Sequence, residues 1–107
     1  MDSVEVIKKA IELRKPVEFY YNKEGKISGK RIGNPHAIYR DPKTDNINVD
    51  IYQTDGVSDQ PEKIPDWRVF TVKFINNAEI LKGSREFDIA DGYDPDSLRY
   101  VDVIAKL

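Results

Sequence analysis

Ile47-Asn48-Val49-Asp50-Ile51-Tyr52-Gln53 alternates β-branched apolar residues with polar and aromatic ones at a period of two. That is the pattern of a strand with one face in a core and the other turned away from it. Strands of this kind need partners, and the flanking sequence supplies them. Upstream, Asp41 to Asn46 is rich in turn formers, and before it Ala37-Ile38-Tyr39 is a short apolar run following Pro35. Gly29 and Gly33 in the stretch leading to that run predict a bulge or sharp bend rather than a flat ribbon. Earlier still, Val17-Glu18-Phe19-Tyr20-Tyr21 and Ile27 to Ile32 flank Asn22-Lys23-Glu24-Gly25-Lys26 and read as a hairpin.

Downstream, Thr54 to Asp66 has Gly, two Pro, Ser and acids without periodicity, long enough to be a functional loop. Trp67 to Val72 alternates again. Phe74 to Leu81 is expected to make one tight helical turn before a closing strand. Helices are predicted at both ends. Val4, Ile7, Ala10, Ile11 and Arg14 fall at helical spacing behind an Asp2/Glu5 capping signal, with Pro16 as the stop. Asp94-Pro95 opens a second helix with Leu98, Val101, Ile104 and Ala105 on one face. About five short strands with bends and terminal helices imply a mostly β (α+β) domain, a small SH3/Sm-like five-stranded barrel.

The chain has 107 residues, the size of one domain, so residues 1–107 are read as a single unit. It has no cysteine, which excludes disulfides, thiolate metal sites and thiol nucleophiles. Met1 to Lys15 is charged throughout, and no apolar run reaches the ~7 residues of a signal-peptide core or the ~18 of a membrane span. A soluble, cytoplasmic protein without membrane contact is expected.

Net charge is −2, too low for a polyanion binder held by bulk electrostatics. The distribution is uneven. Lys23, Lys26, Lys30, Arg31 and Arg40 stand against Glu24 alone between positions 23 and 40, which allows either a local basic face or a row of solvated hairpin lysines.

The order of residues resembles the WYL domain family, small SH3/Sm-like barrels of bacterial regulators and defence-associated proteins. The resemblance spans nearly the whole chain. It rests on a helix ending in the basic pair Arg14-Lys15, the strand Val17 to Tyr21, Arg31 four residues before Pro35 with Ile38 beyond, and Arg68-Val69-Phe70 followed by Val72 and Ile75. Ile47-Asn48-Val49 stands where the tripeptide that names the family would lie, and Phe74 where many members have a second arginine.

The resemblance implies a regulatory module in which Arg31 and Arg68 line a groove for an anionic ligand, a nucleotide or short single-stranded nucleic acid. Guanidinium forks suit phosphate and carboxylate. The alternative is that each arginine pairs with a local acid such as Asp50 or Asp66. Tyr52 and Gln53 end the best strand beside the long loop, and together with His36 they complete the candidate ligand contacts; aromatic residues there either stack a base or pack the rim.

His36 is the only histidine, Asp55, Asp59, Glu62 and Asp66 lack calcium-loop spacing, and no serine has a nucleophile-elbow context. No enzyme, cofactor or metal is therefore expected. The competing reading is a protein-interaction subunit or homo-oligomer that uses the long loop and a strand edge.

Overall fold

The computed structural model describes residues 2–107 and is mostly β, with one helix and a six-stranded antiparallel sheet. The helix α1, Ser3–Leu13, starts where the capping signal places it, since the Asp2 carboxylate accepts the Glu5 N–H at 2.9 Å. Arg14 ends it in the left-handed region at φ 54°, before Pro16 is reached, with the Arg14 and Lys15 amides donating to Ile11 and Ala10 carbonyls. Its buried face, Ile7, Ala10 and Ile11, lies on the sheet. Burying each isoleucine contributes roughly 2 kcal/mol.

The strands are β1 (Val17–Tyr21), β2 (Lys30–Arg40), β3 (Ile47–Gly56), β4 (Asp66–Thr71), β5 (Ile75–Ile80) and β6 (Asp102–Lys106). They order as β4-β3-β2-β1-β5, with β6 added to the far half of β2. The expected return strand and the Ala37–Tyr39 run are one continuous element, β2. It stays paired with β3 throughout while its near half binds β1 and its far half binds β6. The bends expected near Gly33 occur as register shifts at Ile32/Gly33 and Pro35/Ala37. Gly33 has no room for a side chain, since a Cβ there would lie 2.4 Å from Ile51 Cγ2.

The core face carries Val17, Phe19, Tyr21, Ile38, Val49, Ile51 and Phe70 beneath α1. The edge strands β4 and β5 are joined by one 3-10 turn, Val72–Phe74, which starts two residues before the segment expected to turn, and most of that segment, Ile75–Ile80, is itself β5. The two edge strands do not pair with each other, so the sheet is open between them; the strand beyond the five expected is β6.

The C-terminal helix expected from Asp94-Pro95 is absent. Asp94 instead makes a turn, its carboxylate accepting the Asp96 N–H at 2.9 Å and its carbonyl the Ser97 N–H at 3.1 Å. The β-branched run Val101, Val103, Ile104 then enters β6, where pairing with Ala37 to Arg40 outweighs a helical spacing. Leu98, assigned to the buried stripe of that helix, is 93% exposed.

Between β5 and β6 the chain runs without a strand or helix across the other face of the sheet. It is fixed at three places. The Arg14 guanidinium donates twice to the Phe87 carbonyl, at 2.6 and 3.1 Å, and Lys15 donates to Ser84 O. His36 accepts the Ala90 N–H, and Trp67 Nε1 donates to Asp91 O at 2.8 Å. Arg99 and Tyr100 reach Asp50. No helix among the described residues is long and apolar enough to cross a membrane.

Candidate functional site: a cationic cavity at the end of the sheet

Along β3, Val49 and Ile51 belong to the apolar core, and the next residue on that face, Gln53, is fully buried where the core ends. Its amide nitrogen donates to the carbonyls of Val57 at 2.8 Å and Asp55 at 3.1 Å, holding the start of the long loop, while Oε1 faces Arg31 Nη1 at 3.5 Å. The loop can turn here only through Gly56. Its φ is +94°, and a Cβ would fall 2.2 Å from the Lys30 carbonyl oxygen.

Arg31 is 3% exposed and sits over Phe70 and Tyr21, 5.4 and 5.7 Å from the ring centroids. Nη2 donates to Ile27 O at 2.9 Å, and Nε has no partner. Burial pulls its pKa down from the ordinary value, and the nearby Asp59 carboxylate opposes that. A guanidinium remains charged in such surroundings.

Arg31 opens on a cavity of about 400 Å³ shared with Arg68, Lys23, Lys26, Tyr21 and Phe70. Its wall is completed by the loop residues Ser58, Asp59 and Gln60 and by Val69 and Thr71 of β4, so four cations face a single carboxylate. Arg68 reaches it from β4, tethered by Asp66 Oδ2 at 3.3 Å, the Trp67 carbonyl at 2.8 Å and Ser58 Oγ at 3.5 Å. The Trp67 N–H and then Arg68 hold the Asp66 carboxyl below its usual range. The local-acid pairing foreseen for Arg68 thus exists, yet Arg68 still lines the cavity; Arg31 has no salt-bridge partner.

Of the five residues singled out from the sequence, Arg31, Arg68 and Gln53 come together here. Tyr52 and His36 do not. Tyr52 faces the opposite side of the sheet against Trp67, with ring centroids 5.5 Å apart. His36 is fully buried among Trp67, Phe87 and Tyr93. Its Nδ1 lies 2.7 Å from the Asn34 carbonyl and its Nε2 accepts the Ala90 N–H at 3.1 Å, so both ring nitrogens are engaged and the neutral tautomer is specified. Burial lowers its pKa.

Lys23 and Lys26, visible in the sequence only as part of a basic stretch, prove to be cavity residues, and Asp59 and Tyr21 join them without any local signal. On the opposite face Asp50 is buried and accepts Tyr39 Oη at 2.8 Å, Tyr100 Oη at 2.5 Å and the Arg99 guanidinium. Burial first, then the Asp50 charge and hydrogen bond, pushes both tyrosines above their ordinary range. The Asp50 hydrogen bond raises Arg99 as well.

The free edge of β4 is partly closed by side chains. The Thr71 N–H donates to Tyr21 Oη at 3.0 Å, the Trp67 N–H to Asp66 Oδ1 at 2.8 Å, and the Trp67 carbonyl accepts Arg68. By the two-residue alternation of a strand, only Val69 remains to offer outward backbone groups there. Among the described residues no group of three or more His, Cys, Asp or Glu is arranged to hold a metal. No protein-family model and no curated protein matches this chain.

Proposed function

We propose that the chain is a ligand-binding regulatory module that takes a phosphate-bearing anion, a nucleotide or the end of a short single strand, in the Arg31/Arg68 cavity. One observation carries this reading: a buried arginine with an unpartnered Nε opens on a cavity where four cations face one carboxylate. That Nε is closed to solvent, so an anion in the cavity would bond the side chains that reach it, Arg68, Lys23 and Lys26, with Arg31 acting mainly through its charge. The strand order, with its edge strands linked by one short turn, is compatible with the SH3/Sm-like barrel of the WYL family. Binding rather than turnover is the reading because the only histidine has both nitrogens occupied and lies on the other face.

The test is a thermal-shift and calorimetric screen with pyrophosphate, nucleoside triphosphates and short oligonucleotides at low salt. A ligand specific to the folded state raises the melting temperature by mass action. The expected result is a salt-sensitive shift that Arg68→Ala abolishes; no shift on folded protein would sink the reading.

A second reading, a protein partner or a second copy of the chain, is favoured by a different observation. Leu98, Val101 and Val69 are exposed around a hollow of about 570 Å³ beside β4. Its capped edge makes side-chain docking, not strand addition, the form that reading takes.

A further inference from the structure

Among the described residues Asp59 is the only carboxylate lining the cationic cavity, and it is held there by a bond to another loop. Its Oδ1 accepts the Ile27 N–H at 3.0 Å, and Oδ2 lies 3.6 Å from Lys26 Nζ. Ile27 and Lys26 belong to the connection between β1 and β2, whereas Asp59 belongs to the loop after β3. The base of that loop is anchored independently, through the Val57 N–H to Lys30 O at 3.0 Å and Gln53 to Val57 O. Asp59 therefore adds a clasp just beyond that base.

The carboxylate is within electrostatic reach of Arg31 but forms no bond to it. It neutralises one cation of the cavity while leaving the deepest one unsatisfied. A phosphate group, with more charge and more acceptor oxygens, competes for the same cations.

We propose that Asp59 is an internal anion that occupies the Lys26 side of the cavity until a phosphate-bearing ligand displaces it, breaking the clasp to Ile27 and freeing the loop around Asp59. The inference rests on the anion-binding reading and assigns that site its regulation: ligand occupancy is converted into release of residues 59 and 60, the surface a downstream partner would sense. The Ile27 bond, then Lys26 and Arg31, hold the Asp59 carboxyl below its usual range, so the internal anion is charged at neutral pH.

The experiment is pyrophosphate titration by calorimetry of the parent protein, Asp59→Asn and Arg68→Ala, with amide hydrogen exchange followed at Ile27. Asparagine keeps an acceptor for the Ile27 N–H but removes the charge. Asp59→Asn is expected to bind pyrophosphate about tenfold more tightly, within the usual range of coupling between competing occupants. In the parent, pyrophosphate is expected to speed exchange of the Ile27 amide, although ligands ordinarily slow exchange near their sites.

Equal or weaker binding by Asp59→Asn, or slower Ile27 exchange on adding pyrophosphate, overturns the internal-anion proposal and leaves the binding site standing. Absence of pyrophosphate binding in both the parent and Asp59→Asn removes the proposal together with the reading beneath it.

Discussion

The Arg31 guanidinium lies over the Phe70 ring, 5.4 Å from its centroid, and Tyr21 stands on it as well, at 5.7 Å. The two aromatic rings of the cavity are thereby occupied by the protein's own cation. A nucleobase would have to displace Arg31 to stack there, and Tyr52 and Trp67 lie on the other face. The cavity should read charge and not base. ATP, GTP, CTP and UTP are expected to bind within about threefold of one another, since base stacking of about 1–3 kcal/mol is not gained. Competition calorimetry checks this, and a tenfold preference for one base would count against the geometry described.

Arg31→Met separates binding from folding. Methionine matches the length of the side chain but leaves the buried Gln53 Oε1 and the Ile27 carbonyl without their donor. Urea unfolding should show a loss of about 1–3 kcal/mol, with the protein still folded and pyrophosphate binding lost. A variant that unfolds instead would mean that Arg31 is chiefly a structural strut.

Asp50→Ala should be among the most damaging single changes in the chain. It leaves the Tyr39 hydroxyl and Arg99 without their acceptor and unpins residues 99–100 from the sheet. Breaking a buried charged network in this way destabilises by about 3 kcal/mol. Chemical denaturation measures the loss, and exchange at residues 94–101 should rise with it.

His36 gives the fold a pH dependence whose direction is set. Its folded-state pKa is lowered from 6.5 by burial, so the unfolded chain binds a proton first as pH falls. Stability is then full above 6.5, declines as pH drops from there toward the folded-state value, and is flat below it. Protonation would also turn Nε2 into a donor against the Ala90 N–H. The melting temperature recorded between pH 7.5 and pH 5 in steps of about half a unit should fall, and in His36→Gln this part of the slope should vanish.

The strands were legible where one residue type repeated at a fixed period. Ile47, Val49 and Ile51 are on the core side as their alternation requires, and α1 begins at the capping residue the sequence names. The C-terminal segment was not legible, because Asp94-Pro95 signals a helix start equally well when it makes only a turn, and β6 exists through a pairing with residues more than sixty positions away. For the cavity, guanidinium chemistry pointed to Arg31 and Arg68. Nothing local marked Tyr21, at the end of β1, or Asp59, which reaches the same place through Gly56 and the loop it allows. His36 and Tyr52 look like ligand residues only until the covering segment is seen to claim their face.

Sharing β2 among three partners also orders events in time. The bonds of β2 and β3 to the covering segment span 54 positions from His36 to Ala90 and 50 from Asp50 to Tyr100. Loop closures of that length slow folding, toward the millisecond-to-second range of chains dominated by distant contacts. The helix and the β1–β2–β3 meander can collapse first on near neighbours, and the Asp50 face stays wet until the far end of the chain arrives to seal it.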